Sequence, residues 1–584
     1  MTPPSSPLPP GSPPVSPLDP AWLAQMASAM FGALPGAAPG AQAPANVAPA
    51  GSPLSSPSGF GPSAPGTPIP QGMLPGANLI PAAPSPVLSL GNRAPSMLPA
   101  APAGNGVPDK LLGAVPAYEP RLGSQLLGVA PVSASPRYYF VDELVPPGAP
   151  ASAAPAAAAT TSAPHDRAPL AGMDRHPGFD VHAVRRDFPT LQERINGHQL
   201  VWFDNAATTH KPQAVIDRLA HFYAHENSNI HRAAHVMAGR ATDAYEGGRE
   251  SVRRFINAPE VDEVIFVRGA TEAINLVAKS WGMQHVKQGD EIIVSHLEHH
   301  ANIVPWQQLA ACTGARLRVI PVDDSGQVLL DEFGKLLNDR TRLVAVTQVS
   351  NALGTVTPVQ QIVAMAKGVG ARVLVDGAQS VSHMRTDVQA LGADFFVFSG
   401  HKVFGPTGIG VLWGKREVLE DMPPWQGGGN MIADVTFEKT AYQGIPNKFE
   451  AGTGNIADAV GLGAALDYVS RIGIDNIARY EHELLAYGMC ELASIPGLRL
   501  VGTANEKASV MSFVLAGYTT AEVGDALNEQ GIAVRTGHHC AQPILRRFGV
   551  ETTVRPSLAF YNTFDEIDRL VQVVRRLAGR WRAL

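Results

Sequence analysis

From about residue 175 onward, short runs of large apolar residues recur along the chain: EVIFV (263–267), DEIIVS (290–295), RLRVIPV (316–322), RLVAVTQV (342–349), ARVLVD (371–376) and ADFFVFS (393–399). Stretches with helical spacing of apolar residues lie between several of them. Strand-like runs alternating with helical segments predict an α/β fold with a mostly parallel central sheet covered by helices. Such sheets bind ligands at the C-terminal ends of their strands, so the residues just after each run are the candidates for chemistry.

Residues 1–170 follow no such pattern. They hold 37 of the 51 prolines but only 11 Asp, Glu, Lys or Arg, against 85 in the remaining 414 residues. Pro, Ala, Gly and Ser offer too little large apolar surface to offset the entropy of ordering the backbone, which predicts a disordered tail over 1–174. As a flexible coil it would span roughly 70 to 80 Å. Three islands of larger side chains interrupt it. Asp19–Phe31 has an N-cap, Pro20 at the first helical position and apolar residues at helical spacing, and reads as a short amphipathic helix. Leu122–Val129 and Arg137–Val141 with Leu144 are candidate docking motifs, suited to multivalent attachment on one tether.

The formal net charge of −6, without a basic run, argues against nucleic-acid and anionic-membrane surfaces. The start MTPPSSPLPPGSPP lacks the basic and apolar regions of a signal peptide, and no stretch reaches 18 apolar residues, so a cytoplasmic protein is expected. Cys312, Cys490 and Cys540 fit no disulfide or zinc framework. The histidines of His296–His300 have neither H-E-x-x-H nor H-x-x-E-H spacing, so no metal is expected there.

Three strand ends stand out. The run ending at Val267 leads through Arg268-Gly269-Ala270-Thr271 into a helix whose free N–H groups suit a phosphate. ARVLVD ends in Asp376-Gly377-Ala378-Gln379, and ADFFVFS ends in Ser399-Gly400-His401-Lys402. Each alone is an ordinary cap or surface charge. Together a phosphate turn, a carboxylate and a lysine match the needs of pyridoxal phosphate: a Schiff-base lysine, and an Asp that keeps the pyridine nitrogen protonated so that the ring acts as an electron sink.

From Asp204-Asn205-Ala206-Ala207-Thr208-Thr209 through Asn229-Ile230-His231-Arg232, RGATEAIN, EHHANIVPWQ, VSNALGT, VDGAQ, SGHKVFGPTGIG, FEAGTGN and RTGHHCAQP, the chain resembles the class V aminotransferase-like enzymes and, within them, the SufS-type cysteine desulfurases. The resemblance covers about residues 180–580. It implies a fold type I pyridoxal-phosphate enzyme with a large domain over 175–440, whose N-terminal segment contributes to the small domain, and a small C-terminal α/β domain over 441–584. By resemblance, Lys402 carries the cofactor, Asp376 pairs with the pyridine nitrogen, Gln379 contacts the ring hydroxyl and His299 stacks on the ring and exchanges protons near it. Ala270, Thr271, Ser399 and His401 hold the phosphate, and Thr453 reaches the phosphate of a neighbouring subunit, which implies a homodimer. Arg555 clamps the substrate carboxylate, with Asn351 and Arg535 assisting.

Cys540, after Gly537 and two histidines, matches the nucleophile of that family, in a loop where nearby positive charge favours the thiolate. Cys312 and Cys490 read as inert small hydrophobes. The implied reaction converts L-cysteine to L-alanine and leaves a persulfide on Cys540 for an acceptor thiol or protein, feeding iron–sulfur clusters or sulfur storage. A selenocysteine lyase or cysteine-sulfinate desulfinase, with the tail recruiting a soluble sulfur acceptor, is the alternative. Gln542 and Pro556 depart from the common desulfurase pattern. The tail, by architecture and composition, resembles the extensions that package some desulfurases inside encapsulin shells.

Overall fold

The computed structural model describes residues 179–230 and 234–581. The expected tail with its three islands, and His231 and Arg232, lie outside the described residues.

The central sheet has seven strands: β1 (Val264–Val267), β2 (Glu291–Ser295), β3 (Arg316–Ile320), β4 (Thr341–Thr347), β5 (Arg372–Asp376), β6 (Phe395–Ser399) and β7 (Gly410–Gly414). Their spatial order is β1-β7-β6-β5-β4-β2-β3. All neighbours run parallel except β7, which is antiparallel to both β1 and β6. Six strands coincide with the six apolar runs. Along all but the edge strand β3, where only Ile320 is buried, successive side chains enter opposite cores: Val344, Val346, Val373, Val375, Phe396 and Phe398 join one, and Leu343, Ala345, Leu374, Phe395 and Val397 the other. Burial on both faces is why these runs read as continuously apolar.

β7 is the strand the sequence reading missed. It returns directly after β6 without a crossover helix, which is why it runs antiparallel. A Cβ on Gly410 would lie 2.4 Å from the Cα of Gly269 and 2.6 Å from the carbonyl oxygen of Phe398, so only glycine lets β7 pass this close to the turn after β1.

Helices α1 (Gln213–His225), α2 (Val236–Phe255), α3 (Ala270–Val277) and α4 (Ile456–Ile472) cover the sheet. α4 lies beyond the expected boundary at 440, yet it packs against α1 and α2 and shares their core through Ile456, Leu462, Leu466 and Val469. Its crossing with α2 is a backbone contact: a Cβ on Gly248 would meet the Ala459 carbonyl oxygen at 2.6 Å.

The smaller region carries an antiparallel sheet of β8 (Leu498–Leu500), β9 (Phe513–Leu515), β10 (Arg535–Gly537) and β11 (Thr553–Arg555), ordered β8-β9-β11-β10. Helices α5 (Ile474–Ala493), α6 (Thr520–Glu529) and α7 (Phe564–Trp581) pack on it. The start of α6 follows from Thr519 and Glu522, which cap each other's backbone N–H. Val201 and Phe203 enter this core from the N-terminal side, where Val201 pairs in parallel with Ile532. No helix among the described residues is long and apolar enough to cross a membrane.

Candidate active site

The parallel strands end in one layer, because Thr347 of β4 pairs with Asp376 of β5 and Ser399 closes β6. At the start of α3 the Ala270 N–H donates to Ser399 Oγ at 2.9 Å, tying the helix start to the end of β6, and Thr271 is exposed beside it. Asp376 is buried, and one of its oxygens accepts the Ala378 N–H at 2.9 Å. Burial raises its pKa, opposed by that bond and by Lys402. Gln379 donates to the Ala206 carbonyl at 2.6 Å.

After β6 a 3-10 turn, Gly400–Lys402, places His401 and Lys402. The His401 carbonyl accepts the Thr209 N–H at 2.9 Å and the hydroxyls of Thr208 and Thr209 at 3.1 and 3.2 Å, so the N-terminal Asp204–Thr209 motif clamps the peptide next to Lys402. Burial lowers the Lys402 pKa to about 8, with Asp376 opposing and Arg555 reinforcing the shift. Burial, with Lys402 and Lys211, also holds His401 near 4.

Beyond β2, His299 accepts the Ala301 N–H on Nδ1 at 3.0 Å, which leaves Nε2 as the protonated nitrogen of a neutral ring. Burial and the charge of Lys402 depress its pKa to about 3, so it acts in neutral solution as an N–H donor and not as an imidazolium. Glu298, which the sequence reading gave no role, is wholly buried beside it. It accepts from the Ser295 hydroxyl at 2.5 Å, Asn302 Nδ2 at 2.6 Å and the Thr347 N–H at 3.1 Å. Burial raises it to about 8, and the charge of Asp376 adds to the rise.

The other wall comes from the smaller region. Arg535 and Arg555 stand opposite each other across β10 and β11, a like-charge pair that would repel but for Asp204. Asp204 Oδ2 lies 2.9 Å from Arg535 and Oδ1 lies 3.3 Å from Arg555. Arg555 also donates to the Asn351 carbonyl at 2.9 Å, while its Nε is buried without a partner. Asn351 donates to the His539 carbonyl at 2.6 Å, and its Oδ1 is likewise unpartnered. Cys540 is exposed on a turn where it and His539 both take left-handed backbone, φ 53° and 52°. Its N–H donates to His538 Nδ1 at 3.0 Å and its carbonyl accepts the His300 N–H at 2.8 Å. The unexpected Gln542 hydrogen-bonds His300.

These groups line one cavity of about 470 Å³, which brings together Ala270, Thr271, His299, Asn351, Asp376, Gln379, Ser399, His401, Lys402, Arg535, Cys540 and Arg555. Thr453 is not among them; it is exposed on a separate cavity of about 740 Å³ with Tyr245, Arg268, Trp425 and Glu450. Cys312 and Cys490 do not pack as small hydrophobes: both sit exposed on helices. Asp204 was visible in the sequence only as part of a motif, since its partners lie more than 300 residues away. Among the described residues no cluster of His, Cys, Asp and Glu could hold a metal.

The lining suits pyridoxal phosphate: an amine of lowered pKa, a buried carboxylate to meet a pyridinium, an N–H-rich helix start for a phosphate, and an arginine with an unused donor. Fold and site together define a fold type I pyridoxal-phosphate enzyme. The Aminotransferase class-V family pattern matches residues 201–570. A cysteine desulfurase of Synechococcus elongatus is 71% identical over 400 residues, 68% of this chain and 64% of that protein. A probable cysteine desulfurase 1 of Mycobacterium leprae is 68% identical over 68% of this chain and 66% of its own length, so the chain spans just under two thirds of both relatives. A cysteine desulfurase of Dickeya dadantii is 50% identical over 68% of this chain and 97% of its length. The solved cysteine desulfurase CsdA of Escherichia coli superposes with a TM-score of 0.64 at 40% identity, covering 69% of this chain and 99% of that one. The chain belongs to the class-V aminotransferase family, where these relatives are named cysteine desulfurases.

Proposed function

We propose that the chain is a pyridoxal-phosphate-dependent cysteine desulfurase of the SufS type, which converts L-cysteine and the Cys540 thiol into L-alanine and a Cys540 persulfide. The observation that carries the reading is Cys540 opening onto the same cavity as Lys402, Asp376 and Arg555. The bound cofactor supplies the electron sink. Arg555, through its unpartnered Nε, and Asn351, through its unpartnered Oδ1, bind the substrate carboxylate and ammonium side and orient Cα. Lys402, neutral above about pH 8, takes the α-proton. Cys540 as thiolate attacks the substrate sulfur; the S–S bond forms as the C–S bond breaks, and the carbon takes a proton to become the methyl of alanine. Its charge lies within electrostatic reach of Lys402 and Arg555, each of which it raises in pKa. A sulfur acceptor then discharges the persulfide. Thr453 lies outside its own chain's cavity, and we assign it to the phosphate of a second copy, with a homodimer as the working unit.

Cys540→Ala tests the reading. Alanine release from L-cysteine should fall to background while the visible absorbance of the bound cofactor stays. Undiminished release would instead favour elimination without a nucleophile, as in a selenocysteine lyase or sulfinate desulfinase. We further infer that residues 1–174 load the enzyme into an encapsulin compartment in the cytoplasm, on the support of their composition and architecture.

A further inference from the structure

A second cluster of chemically competent side chains stands outside the cavity described above. His383 follows Asp376 by seven residues, on the turn after β5. Its Nδ1 lies 2.7 Å from Glu481 Oε2 on α5, and its Nε2 lies 2.9 Å from Ser509 Oγ. All three residues are buried, at 6%, 4% and 3% exposure. An ionised Glu481 can only accept, so Nδ1 carries the ring proton and Nε2 remains to accept the proton of the Ser509 hydroxyl. Serine, imidazole and carboxylate in hydrogen-bonded series are the arrangement that activates a hydroxyl as a nucleophile.

Two features of Ser509 go beyond a structural hydrogen bond. Its φ is 36°, left-handed backbone that a residue with a side chain rarely adopts. Its N–H makes no hydrogen bond among the described residues, although its carbonyl accepts the Leu558 N–H at 2.8 Å. A free N–H on the nucleophile's own residue is a ready donor to an oxyanion. Ser509, His383 and Glu481 line a cavity of about 230 Å³ that reaches the surface at the exposed His482 and Glu506.

We propose that Ser509, His383 and Glu481 form a second nucleophilic centre, an acyl-transfer site for uncharged esters of short-chain acids. The small cavity limits the acyl group, and a lining that mixes Glu481 and Glu506 with Lys507 selects for neither sign of charge. Ser509 Oγ attacks the ester carbonyl carbon as its proton passes to His383 Nε2. The bond to the alcohol oxygen breaks, and His383 returns the proton to that oxygen. Water then adds to the acyl-serine with His383 as base, and the acid leaves with Ser509 restored.

The test uses the full-length holoenzyme. It is treated with an alkyl fluorophosphonate and mapped by peptide mass spectrometry, and p-nitrophenyl acetate hydrolysis is measured in parallel. The adduct is expected on Ser509. Ser509→Gly, which left-handed backbone accommodates, and His383→Gln should each lower ester turnover on the order of a hundredfold. An unmodified Ser509, or Ser509→Gly hydrolysing the ester at the unaltered rate, overturns the proposal and leaves the trio as a tie between α5 and the turn after β5. If His383→Gln does not fold, the adduct map and Ser509→Gly decide alone.

Discussion

Lys402 stands where the charges of Asp376, Arg555 and Cys540 converge, but burial is the largest influence on it and brings its amine to about 8. A lysine with a lowered pKa is neutral, and therefore nucleophilic, over a wider pH range than a free one. In the cofactor-stripped chain, the rate of pyridoxal phosphate recapture should rise about tenfold per pH unit below about 8 and level off above it, because only the neutral amine adds to an aldehyde. Stopped-flow absorbance across this range measures it; a rise that continues to about pH 10 would mean the amine keeps its ordinary pKa. The identities of Lys402, Asp376 and Cys540 were legible because each follows a recognisable apolar run or lies in a long motif. Their partners were not. Nothing in the local sequence around Asp204 says that it bridges two arginines from another region, or that Glu298 is buried with three donors. Exposure does not single out Cys540 either, since all three cysteines are exposed; its left-handed turn between His538 and the cavity does.

Among the elements, α2, β1 and the loop after Phe449 are joined by one buried ion pair. Arg249 is 1% exposed, and its guanidinium meets both oxygens of Glu450 at 2.7 and 3.0 Å and Glu246 at 2.9 Å. Glu450 also accepts the Phe266 N–H of β1 at 2.8 Å, so it fixes the loop that carries Thr453. Arg249→Met should destabilise the fold by about 3–5 kcal/mol, because it leaves the Glu450 charge buried and without its cation. The urea midpoint measures this, and Arg249→Met combined with Glu450→Met should lose less than the arginine change alone. Equal or greater loss in the double variant would show that packing against Tyr245 and Phe266, and not charge, sets the cost. The parallel strands other than the edge strand β3 were legible because double burial makes each a continuous apolar run. β7 was not, since glycines flank its short run and its place depends on the close approach to Gly269. The position of α4 was hidden for a related reason: a helical pattern reports that one face is buried, but not against which domain.

At the scale of the whole chain, the described residues that line the proposed active site run from Ala206 to Arg555. The segment of about 170 residues has only 11 charged side chains, and three of its stretches concentrate large side chains. That spacing suits weak contacts made in parallel, where the tether supplies the effective concentration and several sites of low affinity hold firmly together. A shell that presents many copies of one docking groove is the partner such a tail would engage best. Deleting 1–174 should leave cysteine turnover per active site unchanged while altering where the enzyme travels. In native lysate the full-length chain should sediment in a megadalton fraction and the truncated chain at the size of a dimer. If both sediment as dimers, compartment loading fails while the desulfurase reading stands, and recruitment of a soluble sulfur acceptor is the next reading of the tail to test; if truncation also abolishes turnover, the body does not hold its site alone and the separation of tail from catalysis is wrong.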